Sequence, residues 1–257
     1  MLLAIDIGNT NVVIGCLNDN QETVSLFRMV TDLKKTEDEY AAGIQTILSY
    51  NQIDCLTFDG AIISSVVPPL TELFRAAVKK LTGLHALVVG SGIKTGLNIQ
   101  IEDPSTLGAD LVAAAVAAVA QFPQPVIIID MGTATTMTVV DEGNRFIGGA
   151  IIPGVALSMS ALSGGTSLLH KVPLDAPPKC ISGTTTACMQ SGAVYGNAAM
   201  LDGMIDRFEA ELGKKTTVVA TGGIAGKITP HCRHEIVYDE DLLLKGLYIL
   251  YKKNTKH

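Results

Sequence analysis

Apolar and polar positions follow one another in an order that the chain uses twice. Leu2 to Ile7 is an apolar run that enters Gly8-Asn9-Thr10-Asn11, resumes at Val12 to Leu17 and stops at Asn18-Asp19-Asn20. Two such runs across turn residues predict a β-hairpin. Thr36 followed by Glu39 makes a capping box, and Tyr40, Ile44, Ile47 and Leu48 then recur at helical spacing. Gly60 to Val67 reads as a buried strand stopped by Pro68-Pro69, Thr71 to Leu81 as an amphipathic helix, and Ala86 to Val89 as a short strand. The Ala-rich run from Gly108 to Ala120 is a strong helix former, with Asp110 near its first turn.

Beyond Pro125 the order starts again. Val126 to Asp130 is a β-branched strand, Gly132-Thr133-Ala134-Thr135 a turn, and Thr136 to Val140 a second strand that ends in Asp141-Glu142-Gly143-Asn144. Ile5-Asp6-Ile7-Gly8 aligns with Ile129-Asp130-Met131-Gly132, so the chain carries an internal repeat of strand, Asp-x-Gly, small polar turn and strand. A weaker echo pairs Ser64-Ser65 with Thr221-Gly222-Gly223 after the strand Thr217 to Ala220. Its larger offset predicts an insertion in the second half, near 146–186. The reading is an α/β protein of two domains, 1–120 and 121–257. A helical stretch from Thr186 to Leu212, interrupted by Gly192 and Gly196, completes the second.

Composition narrows the class. Hydrophobic residues make up 47% and charged residues 17% of the 257, against a usual charged share of about 25%, and this excludes a disordered chain. The net charge of −6 and the lack of a basic block beyond the tail Lys252, Lys253 and Lys256 argue against nucleic acid as a partner. Two charge-free stretches, Leu111 to Ile129 and Phe146 to Leu169, are broken by Pro123, Pro125, Pro153 and many Gly and Ser, so neither reads as a membrane span. Asp6 interrupts the N-terminal apolar run before it could form a signal-peptide core. Five scattered cysteines without a CxxC pair fit a reducing cytoplasm better than a disulfide scaffold.

A strand ending in Asp-x-Gly and turning into an Asn/Thr loop suits phosphate. Glycine lets the backbone approach, loop N–H groups and hydroxyls donate to phosphoryl oxygens, and the carboxylate can hold Mg²⁺ through water. A single Asp-x-Gly is most simply a capped turn. Two copies in an internal repeat point instead to a bipartite phosphate or metal site. His231-Cys232-Arg233-His234 lacks a second ligand pair at zinc spacing and reads as a surface loop.

Two phosphate loops and a Gly222-Gly223 turn after a strand resemble the actin, sugar-kinase and heat-shock-ATPase superfamily, which implies two duplicated ribonuclease H-like domains with ATP in the cleft between them. Read in order, Asp6-Ile7-Gly8-Asn9-Thr10, Ile63-Ser64-Ser65-Val66-Val67-Pro68, Gly108-Ala109-Asp110, Asp130-Met131-Gly132-Thr133-Ala134-Thr135, Gly148 to Gly154 and Ser182-Gly183-Thr184-Thr185 resemble the type III pantothenate kinase family over nearly the whole chain. The resemblance implies ATP-dependent phosphorylation of pantothenate, the first step of coenzyme A synthesis. It also implies Mg²⁺, K⁺ or NH₄⁺, and a homodimer with active sites at the interface. It implies ATP contacts at Asp6, Ile7, Gly8, Asn9, Thr10, Asn11, Val12, Val13 and Thr133, and a K⁺ ligand at Asp130. Asp110 matches the family's base, and Gly108, Ala109, Asp110, Leu111 and Thr185 match its pantothenate site. A carboxylate at a helix N-terminus is expected to stay ionised, which suits a proton acceptor. Two positions depart from the family pattern: Leu111 stands where Arg follows Gly-Ala-Asp, and Ile101 where an aromatic hydroxyl is usual. Lys94 and Arg145 are the candidate replacements for the missing cation. The alternative is a degenerate homologue that binds nucleotide or a partner protein without phosphorylating anything.

Overall fold

The computed structural model describes residues 1–255, so Lys256 of the basic tail lies outside the described residues. The chain divides into two compact units. One holds Met1–Leu97, Glu102–Ala120 and the segment from Asp241 onward, and the other Asn98–Ile101 and Gln121–Glu240.

In the first unit the expected hairpin forms from β1 (Leu2–Ile7) and β2 (Asn11–Leu17), and β3 (Thr23–Val30) extends it. Helix α1 (Glu37–Tyr50) opens on the capping box: Thr36 Oγ1 accepts from Glu39 N, and the Glu39 carboxylate accepts from Thr36 N at 2.8 Å. β4 (Gly60–Ser65) lies parallel to β1. The two prolines that follow do more than end this strand, because they occupy the first turn of α2 (Pro68–Thr82), where no intrahelical N–H is required. β5 (Leu87–Val88) completes a sheet of order β3-β2-β1-β4-β5. β6 (Asn98–Ile99) belongs to the second unit, and α3 (Ala109–Gln121) carries the Ala-rich run.

The second unit repeats the pattern with β7 (Val126–Met131), β8 (Ala134–Val140), β9 (Arg145–Pro153), α4 (Val155–Gly164), α5 (Thr185–Ser191), α6 (Asn197–Leu212), β10 (Thr217–Thr221), α7 (Ala225–Ile228) and β11 (Val237–Tyr238). Its sheet runs β11-β10-β7-β8-β9-β6, with β7 and β8 antiparallel and β10 parallel to β7. β9 pairs with β8 as β3 pairs with β2, so the insertion begins after Pro153 rather than near 146. Gly192 and Gly196 bound a π-helical turn between α5 and α6, and a Cβ at either would meet nothing within 4 Å. Among the described residues no close helix contact accounts for them.

The final helix, α8 (Leu242–Thr255), corrects the expected division at 121–257. Its Leu244, Leu247 and Leu250 bury with Leu2, Ala4 and Ile62 of the first sheet and with Val112, Ala113 and Val116 of α3. Each fully buried aliphatic side chain contributes about 1.5–3 kcal/mol, and this draws the C-terminal segment back to the first unit. The other face of that sheet carries Leu3, Ile5 and Ile7 against α1 and α2. No helix among the described residues is long and apolar enough to cross a membrane.

The α3–α8 contact depends on Gly246, where an added Cβ would collide with the Ala113 carbonyl. Gly246→Ala is therefore expected to destabilise the protein by about 1–3 kcal/mol, as overpacking does. A urea midpoint unchanged from the parent would contradict this packing.

Candidate functional site

In the first unit, Asp6 is the penultimate residue of β1, half-buried at the end of an otherwise apolar strand. Leu2 and Ala4, which share its parity along the strand, face α3 and α8. Asp6 therefore projects from that face. The chain then turns sharply: Gly8 N donates to Asn11 O at 3.0 Å, and Thr31, just beyond β3, ties the turn down through Oγ1 to Gly8 O at 2.6 Å and N to Thr10 O at 3.0 Å. Asn9, Thr10 and Asn11 are left exposed at the tip, while Ile7 and Val12 are fully buried. The turn can offer a ligand side chains at its tip, but only backbone groups at its two apolar ends.

The second unit builds the same turn around Asp130. Gly132 N donates to Ala134 O at 3.0 Å, so β8 starts two residues earlier than the sequence suggested, and Thr133 stands exposed at the tip. Two backbones press on this turn. Gly222, at φ +95°, lies where a Cβ would come within 2.7 Å of both Asp130 Oδ1 and Met131 O, and a Cβ at Gly154 would collide with the carbonyls of Gly132 and Thr133. Only glycine permits either approach.

The flanking strands add hydroxyls. Ser64 on β4 is the register partner of Asp6, while Thr221 on β10 and Thr136 on β8 are those of Asp130. Ser64 Oγ and Thr136 Oγ1 are buried with no hydrogen-bond partner in the protein. An unsatisfied buried hydroxyl costs about 1–3 kcal/mol. Carboxylates beside orphaned hydroxyls above glycine-permitted backbone form a donor set that fits a hydrated cation and phosphate oxygens.

Asp110 lies in the first turn of α3. Its carboxylate folds back over Gly108, where any Cβ would strike Oδ1, and the same Oδ1 accepts from Leu111 N at 2.8 Å. Gly108 also approaches Val66, just past β4, with Cγ1 3.5 Å from the Cβ position. Burial raises the Asp110 carboxyl above its ordinary range, and the backbone N–H groups of Leu111 and Asp110 only partly offset it. The helix N-terminus alone predicted a readily ionised group, but desolvation outweighs it here.

Thr184 caps α5, its Oγ1 accepting from Ala187 N at 3.2 Å, and Thr185 follows, exposed. Leu111 is half-buried. Ile101 lies in the second unit, 3.9 Å from the Cβ position of Gly148. Arg145 is committed to Asp141, its Nε donating to Oδ2 at 2.6 Å, and its guanidinium holds the Asp141 carboxyl below the usual range. Lys94 exchanges backbone hydrogen bonds with the Asn254 side chain.

The sequence reading missed a cavity of about 460 Å³ in the second unit, lined by Met159, Leu174, Met189, Gly223, Ile224 and Lys227 among others. Gly222-Gly223 was its only signal, because α4 and the segment after it supply most of the remaining wall. Asp206, Glu209 and His234 also gather within 4.8 Å, but Glu209 already accepts from Lys215 Nζ at 2.6 Å and Thr216 N at 2.9 Å.

The type III pantothenate kinase family model matches residues 2–207. The chain belongs to the type III pantothenate kinase family. A type III pantothenate kinase from Moorella thermoacetica is 40% identical over 255 residues, covering 99% of this chain and all of the relative. One from Exiguobacterium sp. is 40% identical over 256 residues and covers both chains completely. The α/β fold recurs in solved structures of low sequence identity. Component A of (R)-2-hydroxyglutaryl-CoA dehydratase from Acidaminococcus fermentans superposes with a TM-score of 0.57 at 16% identity, covering 99% of each chain. The activator of 2-hydroxyisocaproyl-CoA dehydratase from Clostridium difficile, solved with bound ADPNP, gives 0.53 at 10% identity over 97% and 93%. The chain thus phosphorylates pantothenate with ATP and a divalent metal, the first step of coenzyme A synthesis, and the non-catalytic alternative loses its support.

The raised Asp110 carboxyl generates a pH prediction. A group whose folded pKa is raised favours its protonated form in the fold, so it supports stability at low pH and loses that support as pH rises through the folded value. Asp110→Asn is therefore expected to leave neutral-pH stability unchanged or higher, and, if Asp110 is the general base that the family resemblance implies, to lower kcat by about 10²–10⁴-fold. The acid limb of kcat/KM in the parent should lie above the ordinary aspartate value of about 3.9. An acid limb at or below that value would remove Asp110 as the titrating base.

Proposed function

We propose the following division of labour for the phosphorylation of pantothenate. The observation that carries it is the duplication of one device, a carboxylate at a strand end above a glycine turn, at Asp6 and again at Asp130. The turn after Asp6, through the backbone from Ile7 to Val13 and the side chains of Asn9, Thr10 and Asn11, offers donors to the phosphates of ATP. Asp6 holds the hydrated divalent ion. Thr133 is a further phosphate contact, and Asp130 with its neighbouring hydroxyls suits K⁺ or NH₄⁺. The nucleotide in the related-fold Clostridium difficile activator supports this reading. The cavity beside Gly223 has the apolar walls an adenine needs, with Lys227 at its edge.

Pantothenate is held by Gly108, Ala109, Leu111 and Thr185 with its hydroxyl toward Asp110. The bound metal neutralises charge on the transferring phosphoryl group. In a loose transition state the protein chiefly positions the reactants, and a base is needed only late, as the acceptor oxygen gives up its proton. Asp110, desolvated yet touched by two N–H groups, is suited to take it. Leu111 contributes only apolar contact, so the carboxylate of pantothenate has no guanidinium at that position.

The protein acts in the cytoplasm as a homodimer whose interface contributes to the site. Apolar side chains without cover in the protomer support this. β9 turns Ile147 and Ile151 outward, the latter 78% exposed, and Leu157, Leu168 and Ile181 stand out from the insertion. A contiguous patch of such side chains is characteristic of protein–protein interfaces.

Purified protein given Mg-ATP and K⁺ should release ADP only when pantothenate is added. Folded, nucleotide-binding protein that stays silent would restore the non-catalytic reading, and turnover on another small alcohol would move the substrate. Replacing K⁺ by Na⁺ should depress the rate, whereas indifference to the ion would remove the assigned role of Asp130. Ile151→Asp should shift the mass measured by light scattering from dimer toward monomer, and an unchanged mass would place the interface elsewhere.

A further inference from the structure

Ser64, beside Asp6, carries a buried hydroxyl that the protein's own packing does not explain. It is completely buried, on the strand next to Asp6 and in register with it. Ala4 and Ile62 pair one step earlier on the α3–α8 face, so Ser64 and Asp6 share that face at the strand spacing of about 4.8 Å. Its neighbour Ser65, on the opposite face, has a full set of partners: its Oγ accepts from Val67 N at 3.2 Å and from Thr71 Oγ1 at 2.9 Å. Ser64 Oγ has none. Alanine would fill the same space without the cost of an orphaned hydroxyl.

The internal repeat supplies a second, independent observation. Thr221 occupies the position beside Asp130 that Ser64 occupies beside Asp6, again on the parallel neighbouring strand and again buried. In both units the strand-end carboxylate is thus accompanied by a hydroxyl at the same register. β4 then leads directly to Val66, against which Gly108 packs two residues before Asp110, so Ser64 lies near the C-terminal end of the strand beside which the α3 N-terminus sits.

We infer that Ser64 is a positioning residue for the divalent ion: its hydroxyl donates to Asp6 or accepts from a water of the ion that Asp6 holds, and so fixes the place of that ion. The role deepens the kinase reading and rests on it. It completes the hydrogen-bonding of a hydroxyl that otherwise has no partner. Hydrated Mg²⁺ keeps several of its waters and binds through one or two carboxylates, so a hydroxyl beside the carboxylate can influence the metal without touching it.

The test is calorimetric binding of ADP to the full-length protein across a series of Mg²⁺ concentrations. Ser64→Ala is expected to raise the half-saturating Mg²⁺ concentration about fivefold, the worth of one net hydrogen bond. ADP affinity without Mg²⁺ and the thermal midpoint should not fall. Ser64→Cys, nearly isosteric but a weaker donor, should lie between the two, and it carries the test if the alanine variant fails to fold. An identical Mg²⁺ dependence in parent and variants would overturn the role. So would an equal loss of ADP affinity with and without the metal, which would place Ser64 on the nucleotide or in the shape of the loop. Those outcomes leave the kinase reading intact. That reading falls separately if the parent binds ADP without any response to Mg²⁺ and releases none with pantothenate.

Discussion

A carboxylate at the end of a buried strand needs polar company, and the rest of this architecture is arranged around meeting that need twice. Asp6 and Asp130 close strands whose other residues are almost wholly apolar. An ionised carboxylate in such a setting is tolerated only beside donors or a cation. Each is given a hydroxyl on the parallel neighbouring strand and a tight glycine turn immediately after it. The orphaned Ser64 and Thr136 hydroxyls show that the protein alone leaves this polar set incomplete, in the manner of a site whose last partners arrive with the ligand.

Close backbone approach is the means by which these sites are shaped. Gly222 and Gly154 bring main chain against the Asp130 turn, and Gly108 leaves the space into which the Asp110 carboxylate folds. A methyl group at any of these would displace backbone or the Asp110 carboxylate itself. The glycines thus set geometry rather than flexibility. The same logic governs Gly246, which lets α8 settle against α3 and hold the helix that carries Asp110.

Asp110 shows how two local effects are weighed by the fold. A first-turn position favours the ionised form, worth about 0.3–1 kcal/mol at exposed sites. Burial works in the other direction and prevails, leaving the Asp110 carboxyl with raised proton affinity.

Much of this was legible in the chain. The repeated strand, Asp-x-Gly, turn and strand announced the duplication, the Thr36–Glu39 capping box fixed the start of α1, and Gly222-Gly223 marked the third turn, because each is a local pattern of period, turn chemistry or spacing. The family followed from such motifs taken in order. What tertiary structure alone decided are contacts between residues far apart in sequence. The return of α8 to the first sheet, the cavity walled by residues from 156 to 227, the pairing of Ser64 with Asp6 and the desolvation of Asp110 leave no mark in a local window. Period and propensity describe what a segment can bury, whereas which surface it buries against, and which polar atoms are then left without water, is settled only when the chain closes on itself.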